Sequence, residues 1–289
     1  MPGRAIIGGM RRKPTLLIVG CGDVGLRVLR LWHGREELRR CGATPLIGDL
    51  DDARTLDRLA GLADVVLHLA PPPLHGATDP RTAALLQALS RRSRPVRLVY
   101  MSTSGVYGDC AGDWVTESRP VNAQTDRARR RVDAESRVRT WARATGVKAC
   151  ILRVPGIYAL DREGGDPRDR VRRGTPALIE SQDGYTNHIQ ADDLARITMT
   201  AAFRGAALRA YHASDDGELR TGDHYDLIAD LCRLPRPRRI DWDEARRTLS
   251  SMQLSFWGES RRLDNTRLKK ELRVKLRHPT VADALTSAD

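Results

Sequence analysis

Aromatic side chains are scarce: 4% of the 289 residues, with only two phenylalanines, so the interior has to be built from aliphatic packing. No run approaches the roughly 18 apolar residues of a membrane-spanning helix. The first 13 residues offer only Ala5-Ile6-Ile7 among Arg4, Arg11, Arg12 and Lys13, far short of a secretory h-region. Cysteine is also sparse. Cys21, Cys41, Cys110, Cys150 and Cys232 are odd in number and hold no C-x-x-C pair, which argues against a disulfide framework or a zinc cluster and fits a reducing cytoplasm. There is no H-E-x-x-H, so no metal site is expected. A G-x-S-x-G elbow is missing too, because Thr103-Ser104-Gly105 lacks the leading glycine, and a hydrolase triad is not supported. Lysine supplies five of 49 basic residues, so arginine carries the net charge of +12. Those arginines are interleaved with acids and accompany no recognisable nucleic-acid module, so neither nucleic acid nor membrane is expected as a partner.

Four apolar, β-branched-rich runs are present, at 15–19, 65–70, 96–101 and 148–154, with helical periodicity over 56–62, 81–89 and 128–142 between them. Strands alternating with helices imply an α/β fold with a doubly wound, Rossmann-type parallel sheet. The expected organisation is a disordered leader over 1–13, a dinucleotide-binding domain over 14–155 and a smaller, partly interleaved substrate lobe over 156–289. Within that lobe a helix opens near Asp192-Asp193, where either carboxylate could cap it, and 208–212 is a short apolar run. The proline-rich stretch 234–239 reads as a stiff linker, and 243–249 and 266–272 read as short helices.

The first run leads directly into Gly20-Cys21-Gly22-Asp23-Val24-Gly25 and then an amphipathic segment. This is G-x-G-x-x-G between a strand and a helix, the context in which the first glycine turns the chain, the second admits a pyrophosphate and the third packs helix on strand. Asp23 and Val24 would open the helix whose N-terminus faces the anion. Only 23 residues separate Gly25 from Asp49, too few for a helix, a strand and a second helix, so the second strand reads as missing or vestigial. Where an acid or an arginine would meet the ribose stand Glu36, Glu37, Arg39 and Arg40, which leaves NAD or NADP equally open as the cofactor.

Further motifs follow in order. Gly48-Asp49-Leu50-Asp51-Asp52, Asp64-Val65-Val66-Leu67-His68-Leu69-Ala70, Met101-Ser102-Thr103-Ser104-Gly105-Val106-Tyr107-Gly108 and Leu152-Arg153-Val154-Pro155-Gly156-Ile157-Tyr158 together resemble the extended short-chain dehydrogenase/reductase superfamily, the NAD-dependent epimerase/dehydratase group. The resemblance implies adenine contacts at Asp49 and Leu50, cofactor-lining positions at Leu69, Ala70, Ser102 and Val154, and Thr103 in the place of a catalytic Ser/Thr. It also implies a homodimer through the helix that carries Arg127 and Arg143.

That family's Tyr-x-x-x-Lys pair is not present. Anchoring on Glu135 puts Arg127 at the tyrosine position and Arg131 at the lysine position, and a second register gives Thr125 and Arg129. Arginine can clamp a ribose or a phosphate but is a poor proton shuttle, since its pKa exceeds about 12. Tyr107 and Tyr158 are the nearest alternative phenols. Two function classes therefore stand side by side: an atypical NAD(P)-dependent epimerase, dehydratase or reductase acting on a small molecule such as a sugar nucleotide, and a non-catalytic dinucleotide-binding or sensing protein. Loss of even the cofactor is a third, given the shortened unit after Gly25.

Overall fold

Residues 14–33 and 43–287 are described by a computed structural model. Its centre is a parallel sheet of five strands: β1 Leu16–Val19, β2 Val65–His68, β3 Arg97–Thr103, β4 Lys148–Val154 and β5 Ala210–His212, side by side in that order. Register pairs Val19 with His68, His68 with Tyr100, and Thr103 with Val154, so the carboxyl ends of β1 to β4 emerge along one rim. Residues 44–47 are irregular, and no strand extends the sheet beyond β1 among the described residues. The leader, together with Glu36, Glu37, Arg39 and Arg40, lies outside the described residues.

Four helices cover the two faces: α1 Asp23–His33, α2 Pro80–Ser90, α3 Asp126–Thr145 and α4 Ala191–Arg204. Strand residues alternate between faces. Leu98 and Tyr100 go to the core under α2 and α3 with Leu56, Leu85 and Val138, while Val99 and Met101 join Val28, Leu152 and Ile197 under α1 and α4. Each fully buried Leu or Ile here stabilises by about 1.5–3 kcal/mol. Local sequence sets the helix ends. Asp79 caps α2 ahead of Pro80, Thr125 caps α3, and Gly146 closes α3 in a left-handed conformation at φ 75°.

Both α4 and β5 come from beyond residue 156 yet complete the central layer. A separate core of Tyr158, Val171, Ala177, Tyr225, Ile228 and Leu285 packs apart from the two cores that flank the sheet. The stretch read as a linker is part of it. Leu234 packs on that core, and the strand Arg239–Ile240 pairs with Ala177–Leu178. Capping of α4 also differs from the expectation for Asp192 and Asp193. The Gln190 side chain accepts the N–H groups of both, at 2.5 and 3.1 Å. Asp193 is thereby released to accept the backbone N–H groups of Arg277 and His278, each at 2.8 Å, pinning the C-terminal segment.

Candidate functional site

The glycine turn lies on the rim where β1 ends. Gly20 has φ 86°, and a Cβ there would stand 2.5 Å from the backbone nitrogen of Ala70, so the turn presses against the end of the β2 segment. Leu69 donates its N–H to Val19 at 2.8 Å and fixes that approach. A Cβ on Gly25 would meet the Gly20 carbonyl at 3.1 Å and Ile18 at 3.3 Å, the close helix-on-strand packing expected of a third glycine. Gly22 differs from both, because a Cβ there would meet nothing within 4 Å. The backbone is thus bare toward open space at the start of α1, where unpaired N–H groups and the helix dipole favour an anion. The residues fit a dinucleotide pyrophosphate. Val24 is buried in the core under α1, and Asp23 turns its carboxylate back along the helix.

Arg27, one turn into α1, is 5% exposed and gathers three carboxylates: Asp161 at 2.6 Å, Asp192 at 2.7 Å and Asp23 at 3.1 Å. These carboxylates outweigh burial and raise the already high guanidinium pKa. The same arginine therefore ties the glycine-loop helix to the lobe and to the start of α4. On the other side of β1, the Asp49 carboxylate accepts from Asp51 N–H at 2.9 Å, closing its own turn, while Leu50 packs on the core under α2. Asp51 is paired to Arg81.

Thr103 is the last residue of β3, half-buried, with its hydroxyl oxygen accepting the Gly105 N–H at 3.2 Å as cap of the turn Ser104–Tyr107. Ser102 donates to Glu135 at 2.7 Å. Val154, at the end of β4, is buried in the core under α4. Tyr107 is 1% exposed; Arg153 donates to its hydroxyl at 2.5 Å and His212 Nε2 stands 2.6 Å from it. Burial pushes this phenol up to about 12 despite the pull of Arg153. The Tyr158 hydroxyl donates to the Thr280 carbonyl at 3.2 Å, and burial raises its pKa further still.

Of the two registers on α3, the structure turns Arg127 and Arg131 toward the rim. Thr125 is spent as the helix cap and Arg129 pairs with Asp126. Arg131 donates to the Met101 carbonyl at 2.7 Å and the Tyr100 hydroxyl at 3.2 Å. Glu135, one turn on, receives Arg153, Arg139 and Ser102. Burial alone would raise its carboxyl, but these partners hold it below its ordinary value. Arg127 stacks over Phe256, its centre 4.1 Å from the ring, and burial lowers its pKa although Glu259 opposes the change.

Sequence reasoning missed Glu259 and Arg261, which arrive from a loop more than 120 residues after α3 begins. They reach the rim because Ser260 donates its N–H to Asp109 at 2.9 Å and accepts from Cys110 N–H at 3.0 Å. Arg27 was also missed; its i,i+4 spacing from Asp23 was the available signal.

A family model described as NAD dependent epimerase/dehydratase matches residues 25–201, more than half of the chain. The chain belongs to this family. The dTDP-glucose 4,6-dehydratase of Mycobacterium tuberculosis is 30% identical over 215 residues, which is 68% of this chain and 63% of that protein. Less than two thirds of that relative's length is therefore spanned. A conserved Silicibacter pomeroyi protein of unknown function superposes with a TM-score of 0.76 at 27% identity, over 95% of this chain and 98% of the other. A dTDP-glucose 4,6-dehydratase double mutant from Streptomyces venezuelae, solved with NAD and DAU bound, gives 0.72 at 21% identity, over 93% and 94%. Parallel sheet, helical layers and glycine turn are thus those of the Rossmann-type epimerase/dehydratase fold. Among the described residues, no helix is long and apolar enough to cross a membrane.

Proposed function

We propose that this protein binds NAD or NADP on the glycine turn and acts on a sugar nucleotide as an epimerase or dehydratase of its family. The observation that carries the reading is Gly22, whose missing side chain leaves open space at the start of α1, on the rim where the parallel strands end. Gly20, Gly22, Gly25 and the N–H groups of Asp23 and Val24 would hold the pyrophosphate, with Asp49 and Leu50 toward the adenine. Leu69, Ala70, Ser102 and Val154 would line the remaining cofactor path. When bound, the nicotinamide supplies a hydride acceptor or donor. Thr103 would orient a substrate oxygen at the end of β3, with Arg131 and Arg127 clamping a ribose or phosphate oxygen.

A second reading, dinucleotide binding without turnover, is favoured by one observation. Arginines stand where the family places its tyrosine and lysine, and the Tyr107 and Tyr158 hydroxyls are already engaged by partners within the chain. We further propose a homodimer through the outer faces of α2 and α3, where Ala83, Ser136, Thr140 and Ala144 leave a groove of about 400 Å³ beside Trp141. A cytoplasmic protein with a small-molecule substrate fits this reading.

Calorimetric titration of the ligand-stripped protein with NAD, NADH, NADP and NADPH is expected to show saturable binding of at least one. Turnover of dTDP-glucose in its presence separates the enzyme from the binder, and absence of any binding sinks both. Two glycine variants separate site from scaffold. Gly22→Val is expected to lose no more than about 1 kcal/mol of unfolding free energy, the cost of a poor cap on α1 since the new side chain enters open space, while weakening nucleotide binding at least tenfold. Gly20→Ala is expected to lose about 1–3 kcal/mol of stability through its positive φ and the clash with Ala70. Unchanged nucleotide affinity in Gly22→Val refutes the assignment of the turn.

A further inference from the structure

Glu259 is a buried carboxylate with half of its hydrogen-bonding capacity unused. Its side chain is 6% exposed, and one oxygen, Oε2, accepts from Arg261 Nη2 at 2.9 Å. The other oxygen, Oε1, has no hydrogen-bond partner among the described residues, and neither does the Nε–H of Arg261, which is also buried. Arg261 is otherwise spent on the Gly108 carbonyl at 2.6 Å. A buried acceptor and a buried donor are therefore left open on two side chains already bonded to each other. Leaving such groups unpaired costs about 1–3 kcal/mol each, more where charge is involved. A hydroxyl group, donor and acceptor in one, answers both.

The location says which hydroxyl. A Cβ built on Gly105 would lie 3.6 Å from the Thr103 hydroxyl oxygen and 3.7 Å from Glu259 Oε2, so the pair overhangs the end of β3 next to Thr103. Arg127, stacked on Phe256, lies within electrostatic reach of the same carboxylate. The loop is held there by the Ser260 bonds to Asp109 and Cys110, which fix its backbone before any ligand arrives. The geometry points to Glu259 and Arg261 as a recognition site for a hydroxyl of the substrate's sugar ring, with Glu259 Oε1 accepting the hydroxyl proton and Arg261 Nε–H donating to its oxygen. This inference rests on the sugar-nucleotide reading above and adds the residues that select the sugar over the nucleotide.

The test compares dTDP-glucose with dTDP by calorimetry on the wild-type protein and on Glu259→Gln and Glu259→Asp. A charge-assisted hydrogen bond lost from a buried site corresponds to about tenfold or more in affinity. Both variants are expected to weaken dTDP-glucose by at least about tenfold while dTDP binds as in the wild type, which also shows that they are folded. Equal weakening of both ligands, or no weakening of either, overturns the role of Glu259 alone and leaves the sugar-nucleotide reading standing. Failure of the wild-type protein to bind either ligand overturns that reading and this inference together.

Discussion

Arg153→Met is expected to lose about 3–5 kcal/mol of unfolding free energy, the cost of stranding a buried charge. Arg153 and Glu135 have side chains 4% and 2% exposed and meet through two bonds, Nη2 to Oε2 at 2.8 Å and Nε to Oε1 at 3.1 Å. The same guanidinium donates to Tyr107 and to the Glu117 carbonyl, so one substitution takes a partner from a carboxylate, a phenol and a backbone oxygen at once. Arg139, at 2.9 Å from Glu135, compensates only in part because its side chain is 25% exposed. The double variant Arg153→Met with Glu135→Met should recover much of the loss, since an apolar pair of similar volume carries no desolvation cost. Urea unfolding of the three proteins measures both effects. A single-variant loss under about 1 kcal/mol would show that water reaches the pair and that it is not the keystone of β3, β4 and α3.

This network also shows how far the sequence could be read. The strands at 97–103, 148–154 and 65–68 were legible because strands covered on both faces read as unbroken apolar runs. The helix at 266–272 and the glycine turn were legible because their signals are local, a periodicity in one case and a spacing in the other. Glu135 was legible only as an anchor for a motif register. That it faces Arg153, Ser102 and Arg139 depends on the pairing of β3 with β4, which no window of the chain encodes. For the same reason the C-terminal loop with Glu259 was invisible: it reads as a polar connector, and its position is set by bonds to residues about 150 positions earlier. The misreading of Asp192 and Asp193 has a related cause. Both belong to a helix start by composition, but Gln190 was free to cap, and the carboxylates were drawn to Arg27 and to the backbone of 277–278.

The charge of the chain acquires a meaning that composition alone withheld. A net +12 is carried by arginines interleaved with acids, and several of them, Arg27, Arg153 and Arg261, are turned inward onto carboxylates and carbonyls. Arg27, Arg153 and Arg261 each join elements distant in sequence by planar, multi-donor contacts that a lysine could not reproduce. An interior poor in aromatic rings is thus cross-linked by guanidinium groups, several of them between elements far apart in the chain.

Acidification is the second large expected effect. Four histidines, three buried and His188 half-buried, are held in neutral form: burial lowers His68 and His212 to about 3, His188 to about 4, and His224, stacked on His188 at 4.2 Å, well below its ordinary value. Charged groups around them add to this, Arg131 at His68, Arg170 at His188 and His224, and Arg153 and Arg267 at His212. Between about pH 6.5 and pH 4 the unfolded chain therefore binds up to four protons that the folded chain refuses, and stability falls as pH falls. Three acids, Asp215 and Glu117 buried and Asp183 half-buried, work against that slope. Asp215, Glu117 and Asp183 are raised by burial, so the folded chain holds protons there that the unfolded chain releases above about pH 4. The histidines outnumber these acids, so unfolding still takes up protons on balance, each worth about 1.4 kcal/mol per pH unit. Against a typical total of about 5–15 kcal/mol, this places a large part of the stability at risk between pH 6.5 and pH 5. Glu135, held below its usual range by Arg153, loses its contribution only at still lower pH, as its carboxylate protonates. Denaturant midpoints measured at pH 7, 6 and 5 should fall steadily, and His212→Gln should flatten the slope by about 1.4 kcal/mol per unit if it remains folded. Equal midpoints at pH 7 and pH 5 would mean that these imidazoles reach water or accept protons in place, and the dry interior drawn around them would be wrong.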